Sequence, residues 1–391
     1  MKEVYLDYAA TAPIDLDVKQ AVDEANEKYF GNASSLHTIG QRAKGQMEQA
    51  RETIARYINA AEANEVYFTS GGTESDNWAI KGIALAQMEK GKHIITSAIE
   101  HHAVLHACEF MEKMGFEVTY LPVARDGSVR IADLKAAIRE DTILITIMAA
   151  NNEIGTIQPI KEIGEIARKR GILFHTDAVQ ALGSMPLDVQ AMQIDLMSIS
   201  AHKVYGPKGV GAMYIKKGTE IENLMHGGAH ELRRRAGTNN VPGIVGFGKA
   251  VELLKQNEAV YVAHYTQMRD YLRDRIENEL DEVILNGHQE KRLPNNLNVS
   301  FAYVEGEALL LSLDMEGICV STGSACSSGS LKPSHVIEAL GLDENYLHGT
   351  VRFTVGRQTT KEDIDYTVDR LKSVIARLRS MSPLYKDSKN S

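Results

Sequence analysis

Cysteine is scarce in this chain: Cys108, Cys319 and Cys326 are the only three in 391 residues. Three are too few for a disulfide framework, and their spacing fits no zinc site. A reducing, cytoplasmic setting is the expectation. Long apolar runs are missing too, so no bilayer-spanning helix is expected, and Met1-Lys-Glu-Val-Tyr-Leu-Asp7 carries no apolar signal region. Positive charge is in deficit. Lys and Arg number 43 against 52 Asp and Glu, a net charge of −9, which argues against general affinity for nucleic acid. Arg233-Arg-Arg235 is the local exception and reads as a solvated loop. Neither an internal repeat nor a low-complexity segment is present.

The rest of the composition, 43% hydrophobic and 24% charged, is that of a soluble globular protein, with length for one large domain and a smaller one. Strands are expected at 65–69, 93–97, 118–122, 142–148, 172–176, 196–200 and 211–215, with helices between. The run Thr142 to Met148 is apolar on both faces, as strands inside a helix-covered parallel sheet are. The first part is therefore an α/β layered domain. After about residue 245 the pattern changes. A long helix from Gly246 to Leu280 precedes shorter strands at 283–285, 297–301 and 350–354 and a closing helix from Lys361 to about Arg379. That is a smaller α+β domain. The tail 383–391 has little to bury and is expected to be disordered.

One loop stands out. Ser321-Thr-Gly-Ser-Ala-Cys326-Ser-Ser-Gly-Ser330 sets one thiol among small and hydroxylated residues. Nothing in it fills a core, and Gly323 and Gly329 loosen the backbone, so the thiol reads as accessible and reactive. A buried cysteine in a tight turn is the competing reading. Other polar residues gather at strand carboxyl ends, where open α/β sheets bind ligands. Ser70-Gly-Gly-Thr73 joins a strand to a helix and offers an anion site at Gly72 and Thr73. His175-Thr-Asp177 ends a buried strand in an acid, either a cap for the next turn or the partner of a cation. Ser200-Ala-His-Lys203 ends another in a lysine, either half of an ion pair or the amine of a Schiff base. Pyridoxal phosphate requires a lysine for its aldehyde, a carboxylate for its ring nitrogen and a phosphate cup at a helix start. Lys203, Asp177 and Gly72-Thr73 supply these, with Ser200 and His202 as further phosphate donors.

At this point the chain resembles a known family. Tyr5-Leu-Asp-Tyr-Ala-Ala-Thr11, Asn32-Ala-Ser-Ser-Leu-His37, Thr69-Ser-Gly-Gly-Thr-Glu-Ser-Asp-Asn77, Glu100-His-His102, Asn151-Asn-Glu-Ile-Gly155, His175 to Gln180, Ser200 to Lys203 and Arg235-Ala-Gly-Thr238 follow the order of motifs in cysteine desulfurases of the NifS/IscS type. These are class V aminotransferase-fold enzymes. The resemblance runs from Tyr5 to about Arg357, and Leu331-Lys-Pro-Ser-His-Val-Ile after the cysteine loop matches the long-loop subgroup. It implies the fold-type-I transferase architecture. A large cofactor domain would span 15–257; a small domain would comprise 1–14 and 258–391 and carry the cysteine loop at about 321–332. One segment departs from the pattern: Gly227-Gly-Ala-His-Glu231 stands where the family usually has Gly-Gly-Gly-Gln-Glu.

The resemblance also implies roles. Lys203 would hold the cofactor aldehyde, Asp177 would keep the ring nitrogen protonated, and His101 would stack on the ring and shuttle protons. Its neighbour His102 reads instead as a satisfied helix-start residue. Asn152 and Gln180 would bond the ring oxygen and its surroundings, and Thr73, Ser200 and His202 the phosphate. Thr238 would reach the phosphate of the other subunit, which implies a homodimer. Arg352 would clamp the substrate carboxylate, a bidentate task suited to a guanidinium. L-cysteine would displace Lys203, whose amine would take the Cα proton. Attack by the Cys326 thiolate on the substrate sulfur would leave a persulfide and L-alanine. No fixed metal is implied, although the Cys326 persulfide is a candidate transient ligand to an iron–sulfur cluster. The sulfur would pass to an acceptor protein in iron–sulfur cluster assembly, tRNA thiolation or cofactor thiolation, with no direct nucleic-acid or membrane contact. Selenocysteine lyase or another class V aminotransferase or lyase is the alternative, and a cluster- or partner-binding scaffold is the non-enzymatic one.

Overall fold

The structure, a computed structural model, describes residues 2–322, 333–383 and 385. Cys326 with the loop around it, and most of the tail 383–391, lie outside the described residues. The α/β expectation holds in the large sheet. Its seven strands lie in the spatial order Val66–Thr69, Gly211–Ile215, Leu196–Ser200, Leu173–Asp177, Thr142–Thr146, His93–Ser97 and Glu117–Leu121. All run parallel except Gly211–Ile215, which is antiparallel to both neighbours. Successive side chains take opposite faces. Ile94, Leu144 and Leu196 pack with Trp78 and Val104 from helices Gly72–Gln87 and His102–Lys113, whereas Ile95, Ile145 and Met197 pack with Ile54, Ile163 and Phe247 on the other side.

A second apolar core surrounds a three-stranded antiparallel sheet, Thr350–Thr354, Asn296–Phe301 and Val283–Asn286. It includes Val4 and Leu6 from the start of the chain, where strand Val4–Tyr5 pairs with Ile318–Cys319, and Ile364, Leu371 and Ile375 of the closing helix Lys361–Met381. The helix Val241–Glu279 spans both cores, with Phe247 and Leu254 in the first and Leu272 and Ile276 in the second. It starts five residues before the position read from sequence. Pro242 and Gly243 look like loop residues there, but proline fits a helix's first turn, and the Asn240 side chain caps it by accepting from Gly243 N at 3.1 Å. Two helices, Leu16–Lys28 and Thr38–Tyr57, have no counterpart in the sequence reading. The inner stripe of the second is Ala43, Met47, Ala50 and Ile54, helical in spacing but built of small or flexible residues. Among the described residues no helix is long and apolar enough to cross a membrane.

Candidate active site

Five strands of the large sheet deliver polar residues to one end, their carboxyl ends. Strand Val66–Thr69 leads through Ser70 and Gly71 into helix Gly72–Gln87. Gly71 has φ 153° and caps that helix start, a conformation that a side chain would strain. Strand His93–Ser97 leads to His101, the loop after Thr142–Thr146 carries Asn152, Leu173–Asp177 ends in Asp177, and Leu196–Ser200 runs into the turn that holds Lys203. Between them lies a cavity of about 300 Å³ lined by Gly72, Thr73, His101, Asn152, Asp177, Gln180, Ser200, His202, Lys203 and Arg352. Of the residues singled out from sequence, only Thr238, which is exposed outside this cavity, and Cys326, beyond the described residues, are not brought together.

The cavity's floor gathers buried acids beside Lys203. Asp177 is buried, and loss of water pushes its carboxyl above the ordinary range, with Lys203 opposing. Its Oδ1 also accepts from Val179 N at 2.9 Å, so capping the turn and facing the cavity coexist in one residue. Asp76, in the same lining, is also held well above the ordinary range by burial and by the charges of Asp177 and Glu100, and among the described residues its Oδ1 has no hydrogen-bond partner. Glu100, fully buried, accepts from Ser97 Oγ at 2.6 Å and from Met148 N, yet burial raises it to about 8. The histidines shift the other way. Burial, with Lys203 nearby, lowers His101 and His202 to about 4, so both are neutral at physiological pH. Lys203 Nζ donates to the carbonyls of Ala9 at 2.6 Å and Ala10 at 2.8 Å.

His101 and His102 both line the cavity, and His101 also fills the helix-start role read for its neighbour. His101 caps helix His102–Lys113, its Nδ1 accepting from Ala103 N at 3.1 Å. His102 lines the cavity as well, with ring centroids 5.0 Å from His106 and 4.8 Å from His335. The cap position precedes the first helical residue, and the sequence alone does not show which histidine fills it.

Arg352 closes the opposite wall. Its Nη1 donates to Asn152 O at 3.0 Å and its Nη2 to Asp7 Oδ1 at 2.8 Å. Its backbone exchanges hydrogen bonds with Ser321, the last residue but one before the undescribed segment. Past that segment, Ser334 Oγ donates to Glu153 Oε2 at 2.6 Å and His335 Nε2 to Glu100 O at 2.9 Å. Sequence reasoning gave no role to Asp7, Ala9, Ala10, Asp76, Glu153 or His335. The run Tyr5 to Thr11 and the neighbours of Gly72 and Asn152 were visible signals, but they named no contacts.

The segment 227–238 corrects a simpler reading. Arg235 is not solvated: its Nε and Nη2 grip Glu74 at 2.8 and 3.0 Å. Glu231 is buried and binds Arg51 through both oxygens, at 2.8 and 3.1 Å. Stranding either charge costs about 3–5 kcal/mol. Three successive residues here, Glu231, Leu232 and Arg233, sit at positive φ, a conformation that costs energy and needs surrounding contacts to persist. His230, one of the two departures from the family pattern, faces Ser34 Oγ at 3.1 Å.

The sequence pattern of the aminotransferase class-V family matches residues 4–367. The chain belongs to that family. Its place there is among the cysteine desulfurases of the NifS/IscS type. It is 56% identical over 382 residues to "Cysteine desulfurase IscS" of Dictyoglomus turgidum, covering 98% of this chain and 97% of that protein. The protein of the same name from Methanosarcina thermophila is 54% identical over 383 residues, 98% and 94% of the two chains. Among solved structures, a "NifS-like protein" superposes with a TM-score of 0.90 at 36% identity over 96% of this chain and all of that one. "SspA in complex with cysteine" gives 0.80 at 38% identity, over 91% of this chain and all of that one.

Proposed function

We propose that the chain is a pyridoxal-phosphate-dependent cysteine desulfurase that converts L-cysteine to L-alanine and retains the sulfur as a persulfide on Cys326. The observation that carries this reading is a single cavity that gathers Lys203, Asp177, the helix start at Gly72-Thr73 and Arg352, with both ends of the Cys326 segment tied to its wall. The cofactor fits the donor set. Asp177 is a buried acid whose ionised form burial disfavours, and a protonated ring nitrogen beside it would offset that cost. Gly72, Thr73, Ser200 and His202 would hold the phosphate, joined by Thr238 of the partner subunit in a homodimer. Asn152 and Gln180 would bond the ring's polar edge, with His101 against its face. The bound cofactor supplies an electron sink for the charge that develops at the substrate Cα.

This chain's residues do the rest. Arg352 orients the substrate carboxylate and Asn152 assists. Lys203 Nζ would take the Cα proton, and neutral His101 would be available for proton exchange. Cys326 Sγ attacks the substrate sulfur, the electron pair of the broken C–S bond stays with carbon, and protonation there yields alanine. The other two thiols are poor candidates. Cys108 is fully buried and pushed far up by desolvation, and Cys319, raised by burial and nearby acids, sits in a paired strand away from the cavity. The relative solved in complex with cysteine favours the same substrate class. The reading divides the chain at 15–257 and places the enzyme in the cytoplasm, serving an acceptor in iron–sulfur cluster assembly or thiolation.

Purified protein tests it. A yellow chromophore that borohydride fixes to Lys203, with alanine formed from L-cysteine and sulfide released when a thiol reductant such as dithiothreitol is added, is the expected result. Lys203→Ala is expected to lower turnover by at least about 10³-fold. Selenium release from selenocysteine without sulfide from cysteine would instead favour the lyase.

A further inference from the structure

The N-terminal segment Asp7–Thr11 touches the cavity at four of its working parts. Asp7 bonds Arg352, Ala9 and Ala10 bond Lys203, Ala9 O also accepts from Gln180 Nε2 at 3.0 Å, and Thr11 Oγ1 lies 3.2 Å from His202 Nδ1. The contact to Arg352 has the clearest chemical consequence. The Arg352 side chain is 3% exposed and offers five N–H donors, of which Asn152 O takes one and Asp7 another. Among the described residues its buried Nε has no partner.

Asp7 is itself well fixed. Thr354 N donates to Leu6 O at 2.7 Å, Ala9 N to Thr354 Oγ1 at 2.9 Å, and Tyr5 Oη to Asp7 O at 3.0 Å. The Asp7 carboxylate therefore reaches Arg352 from a backbone that is pinned on both sides. A buried guanidinium needs an anion whether or not substrate is present. Asp7 meets that need at one N–H of Nη2, and the second N–H of each amino group is left for an incoming carboxylate. We propose that Asp7 is the positioning residue of the substrate clamp: it anchors Arg352 by one amino group and so holds the guanidinium in place for the substrate carboxylate. The assignment rests on the reading of Arg352 as that clamp.

Asp7 never touches the reacting atoms on this account, so its loss weakens substrate binding and spares chemistry. Asp7→Ala is expected to raise KM for L-cysteine about tenfold, keep kcat within about twofold and keep the cofactor's absorbance. Binding measured separately, by titrating that absorbance with L-alanine, weakens by a similar factor. Asp7→Asn keeps an acceptor oxygen and raises KM by about threefold. An unchanged KM in Asp7→Ala overturns the proposal, as does a fall in kcat or a loss of cofactor in place of the KM change. If the alanine variant does not fold, Asp7→Asn carries the test, and an unchanged KM in it overturns the proposal. Arg352→Ala separates the two layers. If it leaves KM unchanged, the clamp reading itself fails. If it raises KM about a hundredfold while Asp7→Ala raises it not at all, only the role of Asp7 fails.

Discussion

The two walls of the cavity handle charge in opposite ways. The wall made by the large sheet collects ionisable groups in buried positions and moves their proton affinities: Asp177, Asp76 and Glu100 upward, His101 and His202 downward. The wall made by the small sheet carries Arg352 already joined to Asp7 and bonded to a neighbouring carbonyl. One wall holds buried acids whose charge a bound protonated ring can balance. The other has its partner and can exchange contacts with a carboxylate. The difference predicts that damage to the first wall appears in cofactor chemistry and damage to the second in substrate affinity.

The comparison breaks most visibly at Asp177. Asp177→Asn is expected to lower kcat by about 10²–10³-fold, because a charge aimed at the developing transition state is lost, while KM changes little. Steady-state kinetics check this; a rise in KM with kcat preserved would move Asp177 to the substrate wall. A smaller effect sharpens the comparison through pH. Glu100 has its folded pKa raised to about 8, above the unfolded carboxyl range, so the folded state binds the extra proton and parent stability falls as pH rises from about 4.5 to 8. Glu100→Gln removes that dependence. The cofactor-free variant is expected to be more stable than the parent by about 2–4 kcal/mol at pH 9, with the gap closing towards pH 4.5. Denaturant unfolding across that range measures it, and a gap that does not vary with pH would show that Glu100 is ionised throughout.

Much of the first wall was legible in the sequence. Its strands are apolar on both faces and end abruptly in ionisable or glycine residues, so Asp177, Lys203 and Gly72-Thr73 stood out against the core that precedes them. Missed elements lacked that contrast. Helix Thr38–Tyr57 buries alanine and methionine in place of leucine, and helix Val241–Glu279 hides its start behind Pro242 and Gly243. The second wall was harder still. Asp7 and Arg352 lie 345 positions apart, and no local pattern announces their bond. Glu153 and His335 acquire meaning only from folding, which sets Glu153 against Ser334 and His335 against the Glu100 carbonyl.

The central claim is that this cavity hands the sulfur of its substrate to one particular thiol. Purified holoenzyme treated with one equivalent of L-cysteine, then alkylated, digested and mapped by mass spectrometry, tests it most directly. The account predicts one added sulfur atom on Cys326, none on Cys108 or Cys319, and alanine in equal amount. It also predicts that Cys326→Ser keeps the cofactor and forms no persulfide. Alanine in full yield with Cys326 unmodified would contradict it.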